Sequence, residues 1–538
     1  MLAGWVECLS TIHDKPGWFP TAVHSPSYAF QQPGGAPMIA ARSKDRLVAR
    51  PGFNRWLIPP AALAIHLSIG QAYAFSVFNL PLSKSLGITA PGPGDWKLTQ
   101  LGWVFTLAIV FLGLSAAVFG RWLERVGPRA SGLTAATCWG TGFLVAALGV
   151  KLHALWLVLI GYGVIGGCGL GLGYITPVST LIKWFPDRRG MATGMAIMGF
   201  GGGAMIAAPL STALMKHFAG PGSVGVAETF LVLGPLYFVA MAAGALGFRL
   251  PPPGWRPAGY SPPAVPKALV TQHDVSPDGA IRTPQFWLLW AVLCLNVTAG
   301  IGVLGQASAM IQEVFHGRID ASAAAGFVGL LSLFNMSGRF FWSSLSDKIG
   351  RKATYAIFFG LGSILYAAVP ATGWLGNVVL FVACFAVILT MYGGGFATIP
   401  AYLSDLFGTR YVGAIHGRLL TAWSAAGVLG PVLVNYIRQY EIDRGIPAAQ
   451  SYNHTMWLMA GLLIIGLLCN LAVRPVHVRH HLEPLPEHST GEFVSTKPPS
   501  ERPARTGGVL AAAWTFVGGP LAWGVLSTLQ RALALFRR

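Results

Sequence analysis

Between Trp56 and Val473 the chain returns twelve times to an apolar run of about 20 residues, the length an α-helix needs to cross a hydrocarbon layer about 30 Å thick. The runs lie at roughly 56–80, 100–120, 130–150, 154–180, 191–216, 230–248, 284–307, 322–346, 353–371, 377–401, 416–437 and 456–473. In lipid every backbone N–H and C=O must be satisfied within the protein, so runs of this kind fold as helices. Composition agrees: 53% of the residues are hydrophobic and 10% charged, where soluble domains carry about 25% charged residues. A soluble enzyme, a disordered chain and a collagen-like fibre are excluded. The expected fold is an all-α membrane protein.

The formal net charge of +18 reads as topology. The basic residues collect at the ends of the apolar runs, with no zinc finger, basic helix or sustained basic tract for nucleic acid. Fourteen Lys/Arg, among them Arg121, Lys183, Arg249 and Lys352, fall in alternate connections. Seven, among them Lys84, Lys151 and Arg438, fall in the others. The positive-inside rule then gives an even number of spans with the N-terminus in the cytoplasm. The longest connection, 249–283, is Pro-rich (RLPPPGWRPAGYSPPAVP) and suits a cytoplasmic linker. The expected domains are a disordered cytoplasmic segment 1–55, a six-helix bundle 56–248, the linker 249–283, a second six-helix bundle 284–473, a polar tail 474–508, and an apolar helix 509–538 that either spans or lies in the interface. Met38 precedes the basic lead ARSKDRLVAR, so translation is expected to start there. Five of the six cysteines lie in apolar segments and none forms a CxxC, which reads as core packing.

One charged loop occurs twice. GRWLERVGPR (Gly120 to Arg129) follows the second run and SSLSDKIGRK (Ser343 to Lys352) the eighth. Each has an acid, Glu124 or Asp347, a glycine three residues on, then basic residues. Both copies resemble the loop motif G-x-x-x-D-R-x-G-R-R of the major facilitator superfamily. Glu124, Pro128 and Ser343 depart from it. Three further segments, KWFPDRRGMATGMAIMGFGGGA (Lys183 to Ala204), TPQFWLLW (Thr283 to Trp290) and GRLLTAWSAAGVLGP (Gly417 to Pro431), are similar to the oxalate/formate antiporter family. The resemblance implies a major facilitator-like 6+6 fold and small organic anions as substrates. It gives Gly120, Glu124, Arg125, Asp347, Gly350 and Arg351 a role in holding the outward-open state.

Arg339, in NMSGRFFW, is the polar residue hardest to place. An arginine at mid-membrane costs about 2.5–3.5 kcal/mol on insertion scales and faces a cavity or a partner. None of the 19 Asp/Glu sits in the middle of a run. The guanidinium therefore either binds an anionic ligand or snorkels to the surface beside Asp347. The resemblance supports the first, since members carry a substrate-binding arginine at this GRF position. A lysine of the oxalate-specific member falls where this chain has Trp423, and one cation instead of two is expected to favour a monocarboxylate. Tyr73, Tyr174, Tyr392 and Phe396 are expected around the substrate, with packing or an interfacial belt as the alternative. Gln71 is polar and mid-span. Asn335 precedes Arg339 by four residues and shares its face. His66 is a candidate proton site. Gly161, Gly163 and Gly166 match G-x-G-x-x-G, but they lie inside a span without a preceding strand, so they read as helix-packing glycines.

No metal cluster, nucleophile–base pair or cofactor site is apparent, so an enzyme is not expected. The expected function is secondary transport of small carboxylates by alternating access, with anion exchange as the coupling and proton symport as the alternative. The expected partners are the carboxylate and the lipid bilayer of the plasma (cell inner) membrane, with a monomer favoured.

Overall fold

A computed structural model describes residues 47–260, 269–483 and 507–533. The expectations for the segment before residue 47, including the start at Met38, and for most of the polar tail lie outside these residues. Secondary structure is almost wholly helical, with isolated β-bridges only among the described residues.

Six long helices precede the linker: α1 (Arg55–Leu82), α2 (Leu98–Val126), α3 (Pro128–Lys151), α4 (Leu155–Trp184), α5 (Arg189–Phe218) and α6 (Val226–Gly247). Six follow it: α7 (Pro284–Val314), α8 (Ala321–Ile349), α9 (Arg351–Trp374), α10 (Val378–Phe407), α11 (Val412–Asp443) and α12 (Asn453–Ala472). The ends outrun the apolar runs because backbone hydrogen bonding continues into the polar connections, and side chains cap several of them. Thr283, Asp320 and Asn377 accept from the N–H three residues on, at 3.3, 2.8 and 3.0 Å. Proline at the first helical position opens α3 and α7. Within α1 the chain tightens to a 3₁₀ helix over Gly70–Phe78.

Eleven of these helices are long and apolar enough to cross a membrane. The remaining one, α8, is 29 residues long and carries Asn335, Arg339 and several serines. The two sets of six meet along two seams, α2 against α11 and α5 against α8. Small residues allow the close approach. A side chain at Gly113 would strike Ser424 and Leu420, one at Gly417 would strike Ala116, and one at Gly194 would strike Ser343 and the Arg339 backbone.

A thirteenth helix, α13 (Gly507–Leu533), lies against α8, α5 and α1. Leu521 reaches Gly202, Gly524 meets Met205, and Thr528 meets Gly329. It packs on the outside of the bundle, with one face against α5 and α8 and most of its surface exposed.

The linker side of the molecule is tied down. Trp255 stacks edge-on against Trp184 at 4.8 Å. The returning linker donates from Thr271 to the Asp405 carbonyl (2.7 Å) and from Val275 to the Phe407 carbonyl (2.9 Å).

Candidate functional site

Arg339 is fully buried, ten residues above the end of α8, and it faces the first six helices across the seam. Its Nε donates to Asn335 Oδ1 one turn back at 3.0 Å, and Nη1 donates to the Ile197 carbonyl of α5 at 3.3 Å. Nη2 has no hydrogen-bond partner, and no ion pair to Arg339 forms among the described residues. The cation is sandwiched between Phe200 and Phe396, with Cζ 5.7 and 5.2 Å from the two ring centroids. Cation–π attraction of this kind holds a desolvated guanidinium in place without neutralising it.

Trp423 joins the same two rings, at 5.3 Å from Phe200 and 4.4 Å from Phe396. Tyr174 lies 5.3 Å from Trp423 and Tyr73 lies 6.5 Å from it. Tyr73 and Tyr392 meet hydroxyl to hydroxyl at 3.4 Å, one from each half. Tyr73 and Tyr174 stand within the electrostatic reach of Arg339, but neither makes a well-formed hydrogen bond to it. The Tyr174 hydroxyl and Trp423 Nε1 are buried and unpartnered. Three donors are thus left over in one aromatic chamber, and buried polar groups are rarely left so.

Above the chamber, away from the linker, a cleft of about 700 Å³ separates α1 and α2 from α7 and α11. Tyr73, Phe75, Ser76 and Asn79 line it on one side, and Ile301, Gln306, Gly427 and Asn435 on the other. Below the chamber the halves are bolted together. Asp347 accepts from the N–H groups of Gly190 and Met191, both at 2.9 Å, at the start of α5, where a helix terminus favours a carboxylate. Arg351 pairs with Asp347 at 2.6 Å and with Asp405 at 3.0 Å, and Asp405 also takes Arg189 of the first half at 3.0 Å. Glu124 pairs with Lys183 at 2.6 Å and accepts from the Gly413 N–H across the other seam at 3.2 Å. Of the aromatic cluster only Tyr73 reaches the cleft, and Arg339, Tyr174, Phe396 and Trp423 are closed off behind it.

Residues 61–431 match the family model described as Major Facilitator Superfamily. The chain belongs to the major facilitator superfamily. The oxalate:formate antiporter of Oxalobacter formigenes is 29% identical over 382 residues, covering 70% of this chain and 83% of that protein. Apicoplast pyruvate carrier 1 of Toxoplasma gondii is 25% identical over 454 residues, covering 74% and 80%. Among solved structures, a bacterial homologue of the iron transporter ferroportin in its outward-facing state superposes with a TM-score of 0.56 at 14% identity, covering 77% of this chain and 98% of that one. That likeness concerns the fold alone.

For this superfamily member, the structure brings Arg339, Asn335, Tyr73, Tyr174, Tyr392, Phe396 and Trp423 together. Gln71 turns away: its Oε1 accepts from Tyr162 at 2.8 Å inside the first bundle, beside Phe75 and Trp139. Gly120 packs on Ala414, and Gly350 joins α8 to α9 with φ of 88°. Arg125 is exposed. His66 is buried 5.4 Å from the Tyr174 ring. Sequence reading missed Phe200, whose only signal is an aromatic set among glycines, and His416, in the polar-looking stretch that opens α11. It also missed the pairing of Arg189 with Asp405, residues 216 positions apart.

Proposed function

We propose that this member of the superfamily is a secondary transporter of small carboxylates that exchanges one anion for another. The observation that carries the reading is Arg339, a buried guanidinium at the boundary of the halves whose Nη2 is unspent. A carboxylate there would take Nη2–H, with Trp423 Nε1–H and the Tyr174 hydroxyl as further donors. Charge-assisted hydrogen bonds of this kind are about twice as strong as neutral ones. The aromatic walls exclude water and keep the chamber small, which suits a substrate of few carbons. Two relatives, named as an oxalate:formate antiporter and a pyruvate carrier, support the same class. We take the linker face and the N-terminus to be cytoplasmic, so that the cleft opens to the outside of a plasma membrane.

Exchange follows from charge. A bare guanidinium in a closed, dry chamber is costly, whereas a monoanion neutralises it. The loaded carrier therefore crosses the occluded state more readily than the empty one. Trp423 supplies a neutral donor where a second cation would suit a dianion, so a monocarboxylate fits better than oxalate alone.

The test is formate counterflow in proteoliposomes at fixed, equal pH on both sides. Wild-type uptake should require internal formate. Arg339→Gln should weaken formate binding about a hundredfold, the loss of about 3 kcal/mol of charged hydrogen bonding. Uptake that ignores internal anion, or a variant that binds formate like the wild type, overturns the reading.

A further inference from the structure

Two imidazoles lie beneath the anion chamber, one from each half. His66 of α1 and His416 of α11 are 0% and 1% exposed. Their rings stand 5.4 and 5.8 Å from the ring of Tyr174, which separates them. None of the four ring nitrogens makes a well-formed hydrogen bond, although backbone of Ala62 and Tyr174 approaches His66. A buried neutral imidazole carries one donor and one acceptor, and leaving both unmet costs about 1–3 kcal/mol per group. Two such residues flanking one buried tyrosine ring call for a use.

Their surroundings limit what that use can be. His66 faces Tyr174 of α4, a glycine (Gly199) of α5, and from the second half Arg339 and His416. His416 faces Tyr174. The charged groups on the helices packed around His416 include Arg121, Glu124 and the exposed Arg125 of α2, Lys183 of α4, Asp405 of α10 and Arg418 of α11 itself. Apart from Arg125 they are engaged elsewhere: Glu124 with Lys183, Asp405 with Arg189 and Arg351, Arg121 and Arg418 with Asp278. With no anion bound, burial among aromatic side chains disfavours a charged imidazole, and the nearby Arg339 cation adds to this at His66. Negative charge delivered to the chamber acts in the opposite sense.

We infer that His66 and His416 form a proton-binding pair that supplies a conditional second positive charge, so that the chamber takes a monocarboxylate alone and a dicarboxylate together with one proton. The inference rests on the carboxylate reading of Arg339. The balance is simple. Arg339 and a monoanion sum to zero. Arg339 and a dianion leave one negative charge in a dry cavity, and a proton from water, bound at one imidazole nitrogen, restores neutrality. No other bond forms or breaks. The proton leaves to water with the dianion when the opposite face opens, so the pair sets both substrate range and stoichiometry.

The experiment measures binding of formate and of oxalate to the purified full chain by calorimetry between pH 6 and pH 8. Carboxyl groups of this kind ionise near pH 4, so neither ligand changes charge over that range. Formate affinity should stay flat. Oxalate affinity should fall about tenfold per pH unit, the slope of one co-bound proton. Buffers with different ionisation heats should report one proton taken up with oxalate and none with formate. The double variant His66→Asn/His416→Asn should flatten the oxalate slope and keep formate binding, which also certifies its fold. A flat oxalate profile in the wild type overturns the pair, as does a slope that survives the double substitution. Should the double variant not fold, wild-type proton uptake decides alone. Formate binding that is insensitive to Arg339→Gln would defeat the anion site, whereas Arg339-dependent formate binding with flat oxalate would defeat only the pair.

Discussion

Glu124 and Asp347 occupy equivalent places, at the ends of α2 and α8. Each is followed three residues later by a glycine with positive φ, Gly127 at 86° and Gly350 at 88°, the conformation that lets one helix turn sharply into the next. Their ties differ. Asp347 reaches out of its own half and takes two backbone N–H groups at the start of α5, while Arg351 steadies it from behind. Glu124, one methylene longer, divides its oxygens between Lys183 and Ser179 of its own half and the Gly413 N–H opposite. Only bonds made in one state and lost in the other move an equilibrium between states. The Asp347 copy should therefore be the stronger bolt on the linker face, and the Glu124 copy partly a brace within the first bundle.

The comparison breaks most visibly at Asp347. Asp347→Asn removes the charge from two helix-terminal hydrogen bonds and from the Arg351 pair. It should cost the linker-face-closed state about 2–3 kcal/mol, a thirty- to hundredfold shift. Labelling of a cysteine introduced at Ser76→Cys, which lines the open cleft, should slow accordingly, and an unchanged rate would show that the bolt lies elsewhere. Glu124→Gln should shift the same labelling by about 1 kcal/mol, roughly fivefold, because much of what it loses is present in both states. A Glu124 effect equal to that of Asp347 would erase the distinction between the copies.

The same contrast shows what the sequence could disclose. The apolar runs, the linker and the paired loop motif depend on local pattern, and all reappear as helices and junctions. Arg339 stood out because a charge in an apolar run is costly wherever the run ends up. Whether Gln71 faces the chamber or Tyr162 depends on the 3₁₀ turn at Gly70–Phe78, which no local propensity marks. The pairing of Arg189 with Asp405 joins residues far apart in the chain, and composition cannot choose among the many charges at that face. The last apolar helix has the length for either a span or a surface position. In the structure Leu521 comes against Gly202 beside Met336, a meeting place that exists only once α5 and α8 have met.

The smallest effect belongs to a third bridge between the halves, which runs through the linker. Asp278 joins Arg418 of α11, at 2.8 Å, to Arg121 of α2. Hydrogen bonds from Arg418 and then Arg121 hold its carboxyl below the usual carboxylate range. A depressed pKa means that the bridge is fully present above the ordinary value near 3.8. It weakens only as the pH falls through the lower value in the folded protein. Exposed ion pairs contribute little and are screened by salt. Asp278→Asn should therefore change Ser76→Cys labelling by no more than a few-fold. The difference from wild type should be constant from pH 5 to 8 and should fade in high salt, where the Asp347 effect persists. An Asp278 effect as large as that of Asp347, and insensitive to salt, would move the main closure from the α8 loop to the linker.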